Sequence, residues 1–133
     1  MKTGLSAILG ASLLLGAGAC SLMEPNDNVV LAVTNLAAPT TASPNTPFTV
    51  TLTLVTGGCT TFNRIDVQRF AGGVRLIPLG TNASIRHNDV SCPADIREEP
   101  HDVQLDPPFA NPFQVYVEQG LAGDPVTATV QIQ

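Results

Sequence analysis

"FTVTLTLV", residues 48–55, alternates as far as Leu54: Phe48, Val50, Leu52 and Leu54 fall on one face, Thr49, Thr51 and Thr53 on the other. Successive side chains of a strand point to opposite faces, so the stretch forms one apolar and one hydroxyl-bearing surface only as a strand. Threonine suits the wet face because its β-branch stiffens the side chain and favours extended backbone. Gly57-Gly58 then ends the run.

Outward from this strand the period of two recurs, and no helical period competes with it. "VVLAVTNL" (29–36) predicts one continuous first strand, and "PTTASPNTP" (39–47) a turn cluster. In "FNRIDVQRF" (62–70), Ile65 and Val67 are expected inward and Arg64, Asp66 and Gln68 outward. "AGG" (71–73) makes a hairpin turn into "VRLIPLG" (74–80), where Pro78 lacks a ladder donor and is therefore expected on a sheet edge. Residues 82–104 are the least regular: a weak strand at 83–86, a loop at "DVSCPAD" (89–95) and a polar strand at 101–105. "DPPFANP" (106–112) is a corner. "FQVYVEQ" (113–119) and "PVTATVQIQ" (125–133) close the chain as two strands around "GLAGD" (120–124). Tyr116, on the parity opposite Val115 and Val117, reads either as a tyrosine corner or as an outward-facing strand residue.

Seven to eight short strands separated by regular turns predict an all-β domain over residues 28–133, an antiparallel β-sandwich. "SPNTPFTVTLTLVTGG", "FQVYV" and "PVTATVQIQ" resemble the immunoglobulin-like (Ig-like) domains of bacterial surface and envelope proteins, which implies an Ig-like fold. The buried Trp and the cysteine spacing of antibody domains are absent, so antigen binding does not follow from the resemblance.

Residues 1–19 have the parts of an export signal: Lys2, a short apolar run from Leu5 to Leu15, and small residues at Ala17-Gly18-Ala19. The run is shorter than the ~20 apolar residues of a spanning helix. Two routes predict a cut before Cys20. Ordinary signal peptidase accepts Ala17-x-Ala19 and leaves a free thiol. The stretch also resembles the lipobox of bacterial lipoproteins, with Ala17 standing where that pattern has Leu. This resemblance implies acylation of Cys20, a membrane anchor of two or three chains, and a tether over residues 20–27. Ser21, in place of Asp, implies onward passage to the outer membrane, on its periplasmic or surface face. With Cys20 lipidated, Cys59 and Cys92 remain to form one disulfide, which export permits.

The 133 residues carry a net charge of −5, and removing Lys2 with the leader leaves five Arg against eleven acids. Such a balance disfavours nucleic acid and anionic lipid headgroups. With 5% aromatics and no Trp, large aromatic-lined sites for bases, sugars or flat cofactors are not expected. Ser84 and Ser91 lie in no nucleophile motif, "IREEPHD" (96–102) lacks calcium-loop order, and "NAS" (82–84) matches a glycosylation sequon. His87 and His101 lie near Asp89, Asp95, Glu98, Glu99 and Asp102, which offers a Zn²⁺ or Cu²⁺ set as an alternative to a solvated acidic region.

The expectation is a non-catalytic, lipid-anchored envelope protein that needs no cofactor and shows no small-molecule substrate. Its Ig-like domain would serve binding, adhesion or assembly with another envelope protein. The alternative is a small periplasmic metal-handling lipoprotein using His87 and His101.

Overall fold

The computed structural model describes residues 28–85, 89–120 and 123–133. Apart from one 3-10 turn at Ala83–Ile85, their regular structure is entirely strand: β1 (Asn28–Val30), β2 (Val33–Ala37), β3 (Thr41–Ala42), β4 (Phe48–Gly57), β5 (Thr60–Phe70), β6 (Gly73–Asn82), β7 (Ile96–Leu105), β8 (Phe113–Val117) and β9 (Val126–Ile132). All nine join one curled sheet in the order β2-β4-β5-β6-β8-β9-β3, with β7 on β4 and β1 on β6.

The alternation in β4 translates directly into burial. Val50, Leu52 and Leu54 are wholly buried, Thr56 extends the inward face, and Thr49 stays exposed. The N–H of Val55 donates to the carbonyl of Ala32 at 3.0 Å, so odd-numbered β4 residues turn their backbone toward β2 and even-numbered ones toward β7. Pro100 lies opposite Thr53. It therefore belongs to a non-hydrogen-bonded pair, with its nitrogen directed out of the sheet, and the missing donor costs the ladder nothing. β7 is accordingly a ten-residue edge strand where a five-residue polar strand was expected.

Between β4 and β5 the ladder holds one pair, Gly57 opposite Thr60. The sheet folds over there, and Leu52 and Leu54 from one half meet Leu76, Val115, Val117 and Val130 from the other in a single core. That apolar contact is the main stabilising term of the fold.

Besides β7, other expectations are corrected, the first being number: nine strands stand among the described residues where seven to eight were expected. The sheet is mixed and not antiparallel, because β6 runs parallel to β8 and β3 parallel to β9. β7 pairs with β4 in the other half, so the chain crosses over between β6 and β8 and re-enters in the same direction. The single strand expected at 29–36 is two. Leu31 donates to Pro78 of β6 while Ala32 accepts from Val55 of β4, so the strand changes halves between adjacent residues. Pro78 is buried in the sheet interior and not on an edge. β8 pairs with β6 as far as Leu76 and β1 takes over at Leu79, so the absent N–H falls where the neighbour changes. Finally, the strand expected at 83–86 is the 3-10 turn over its described part, with Asn82 Oδ1 accepting from the N–H of Ser84 at 3.0 Å and its hydroxyl at 2.6 Å.

On β5 the predicted parity holds. Ile65 and Val67 stand opposite Pro78 and Leu76 on the core side, yet Val67 is 46% exposed and lines an open groove beside Gln104 and Pro107.

Parallel pairing brings the backbones of β6 and β8 together at Gly73, where an added Cβ would lie 1.9 Å from the carbonyl oxygen of Gln114. At neighbouring Gly72 the nearest atom is 3.4 Å away, on the Phe70 ring. Gly73→Ala is expected to cost about 2 kcal/mol or more, while Gly72→Ala stays within about 0.5 kcal/mol. Urea unfolding of the two variants side by side checks this.

Candidate functional site

The two ends of the sheet are held by different means. At one end Gly57 and Gly58 adopt φ of 102° and 61°, a left-handed turn that L side chains rarely enter. A Cβ on Gly57 would also strike the Asp95 carbonyl oxygen at 1.9 Å. Against this turn the loop ending at Asp95 is tied twice: Gly58 N–H donates to the Asp95 carbonyl at 3.0 Å, and Cys59 and Cys92 form a disulfide with their Cα atoms 5.0 Å apart. The pairing expected of these cysteines is therefore present. The expected leader (1–19), Cys20 and the expected tether (20–27) lie outside the described residues.

At the opposite end Arg69 organises the corner at 106–112. Its Nη1 donates to the Asp106 carbonyl at 2.6 Å and its Nη2 to the Pro108 carbonyl. The guanidinium also lies 5.8 and 5.7 Å from the ring centroids of Phe109 and Phe113. Phe48 packs against both rings at 4.8 and 5.9 Å. The Pro107-Pro108 and Asn111-Pro112 peptide bonds are cis. The corner is legible in the residues but its clamp is not: Arg69 shares the inward parity of Ile65 and Val67, opposite Val74, and only the fold brings the corner within its reach.

The proposed metal set is split by the strand that carries it. On β7 residues two apart share a face, so Glu99 lies beside His101, its carboxylate 3.6 Å from Nε2. Asp102 faces the other way and accepts from the Thr51 hydroxyl at 2.6 Å. Asp95 is committed to the Gly58 turn and lies 3.8 Å from Arg97. The His101 ring stacks on Phe62 with centroids 3.9 Å apart, and its buried Nε2 makes no hydrogen bond. His87 lies outside the described residues. Among the described residues no three His, Cys, Asp or Glu side chains are grouped to hold a metal. Ser84 is engaged by Asn82, and Ser91 is exposed in its loop.

Tyr116 faces outward, 39% exposed, with its ring centroid 5.8 Å from that of Phe70, itself 46% exposed. The two rings, in contact with each other, line a largely apolar groove of about 310 Å³ together with Pro125 and the ion-paired Arg75 and Glu118. Arg75 and Tyr116 are neighbours because β6 and β8 pair in parallel, which alternation alone could not reveal. The chain matches no protein-family model, and no curated protein and no solved structure is significantly similar to it.

The bond between Cys59 and Cys92 closes a sequence separation of 33 residues. Replacing both cysteines by serine is expected to lower stability by about 3 to 4 kcal/mol through freer unfolded chain. Denaturant midpoints of the oxidised wild type and the double variant measure the loss.

Proposed function

We propose that the chain is a non-catalytic envelope protein, held to a membrane by acyl chains on Cys20, whose Ig-like domain presents a binding, adhesion or assembly surface. The observation that carries this reading is the polarity of the domain. A tether through residues 20–27 would enter at Asn28, which pairs with Thr81 near the Cys59–Cys92 end. The Ala71-Gly72 turn, the loop at 38–47 and the corner at 106–112 lie at the other end, where Phe48 pairs with Leu105. A ten-residue strand such as β4 spans about 30 Å. An anchor at Cys20 would therefore hold one end near the membrane and offer the clamped corner outward.

The Ig-like reading draws support from the β1–β2 strand change between sheet halves and from the shared core. It places the corner and its neighbouring loops in the contact role that rigid sandwiches give to their ends. A fold by itself names no partner.

Intact-mass measurement and membrane fractionation test the anchor. The mature protein is expected to carry acyl mass and to sediment with membranes, and Cys20→Ser to lose both properties. An unmodified Cys20 in a protein released to the medium would sink the proposal.

The metal-handling reading keeps one observation in its favour, the buried and unpartnered Nε2 of His101 beside Glu99. Titration calorimetry with Zn²⁺ and Cu²⁺ decides between the two. A saturable heat that His101→Ala abolishes would favour metal handling, whereas the module reading expects none.

A further inference from the structure

The outer face of β5, β6, β8 and β9 differs from the rest of an acidic molecule. Its registers align Gln68, Arg75, Tyr116 and Thr127 in one row, because Gln68 pairs with Arg75, Arg75 with Tyr116 and Tyr116 with Thr127. The adjacent row sets Phe70, Gly73, Gln114 and Thr129 side by side by the same pairings. Charge on this face is internally cancelled: Arg75 pairs with Glu118, and Asp66 accepts from Arg64 at 2.8 Å. What remains is two half-exposed rings beside the amide of Gln68 and the hydroxyl of Thr127, which both donate and accept hydrogen bonds, while in the next row the Thr129 hydroxyl donates to Gln114 Oε1 at 3.0 Å.

We infer that this face binds a neutral saccharide, one sugar ring seated against Phe70 and Tyr116 with its hydroxyls bonded to the surrounding Gln, Thr and Arg75 side chains. The axial C–H bonds of a pyranose form a weakly positive apolar surface, which complements the negative face of an aromatic ring. The equatorial hydroxyls need partners around the rim: Arg75 and Glu118 border the groove, and Gln68 and Thr127 stand one strand away, opposite Arg75 and Tyr116. A groove of about 310 Å³ lies at the small end of ligand sites and suits one ring rather than a buried chain. Neutrality selects the ligand. An anionic polymer meets a net charge of −5 with no unpaired cation on this face, and a cationic one finds Glu118 and Asp66 already occupied.

The inference rests on the reading of the domain as a binding module, and it does not depend on the anchor. Tyr116 is the only tyrosine and the chain has no Trp, so intrinsic emission reports on the groove itself. The experiment uses the full chain in micelles of a polyoxyethylene detergent, which lacks a sugar headgroup. It is titrated with tetrasaccharides of glucose, mannose, galactose and N-acetylglucosamine, and in parallel with tetragalacturonate. At least one neutral sugar should produce a saturable change in Tyr116 emission below about 10 mM, the weak regime of a single-ring site. Calorimetry should show that affinity falling about tenfold in Tyr116→Ala and in Phe70→Ala, with thermal unfolding unchanged.

No response to any of the four neutral sugars overturns the site, as does equal binding by both variants or preference for tetragalacturonate. If instead membrane crosslinking through the corner at 106–112 captures a protein while all sugars fail, the site falls and the module reading stands.

Discussion

Where β4 gives way to β5, one residue pair carries the ladder across, and the rest of the architecture follows from that break. A sheet that stayed flat would leave the inward faces of β4 and β6 in water, with Leu52, Leu54, Val74 and Leu76 exposed together. Folding over at Gly57 brings those faces together, and burial at roughly 25 cal/mol per Å² of apolar surface drives the closure. The turn that permits it needs two consecutive glycines with positive φ, one of them pressed against the Asp95 backbone. The disulfide sits on the same turn, so the covalent tie and the sharpest backbone geometry stabilise one junction.

Closure also sets the chain order that alternation could not convey. Once β7 has paired with β4, β8 must reach β6 from the far side of the core and runs parallel to it. Alternation records which face of a strand is buried, but not which strand lies beside it. Hence the apolar positions of β4, β8 and β9, the Ala71-Gly72 hairpin and the corner at 106–112 were all legible in the residues. Pro78 was misjudged for the same reason. Its missing donor signalled an interruption in pairing, and an edge was the simplest interruption to imagine. The actual one is a change of neighbour inside the sheet, which depends on β1 and β8 meeting end to end.

The candidate surfaces were less legible than the fold. Cys59 and Cys92 could be paired by counting, because only three cysteines exist and the third, Cys20, is set apart by the lipobox resemblance of the stretch before it. The five carboxylates near the histidines looked like a cluster in one dimension. Asp89 and Asp95 fall in the loop before β7, and on the strand itself Glu99 takes one face and Asp102 the other; Asp95 and Asp102 have partners of their own. The aromatic groove shows the converse. Phe70 and Tyr116 are 46 positions apart in sequence and become neighbours only through the parallel seam.

Pro100 has a consequence for association between copies. An open strand edge is a template for edge-to-edge growth of sheets. A copy laid along β7 would find no donor at Pro100 and would meet Glu98 and Asp102 on either side of that gap. Like charges repel at such range, since the screening length at physiological ionic strength is about 8 Å. The same proline that fits harmlessly against Thr53 therefore opposes the zipping of copies into a continuous sheet along β7.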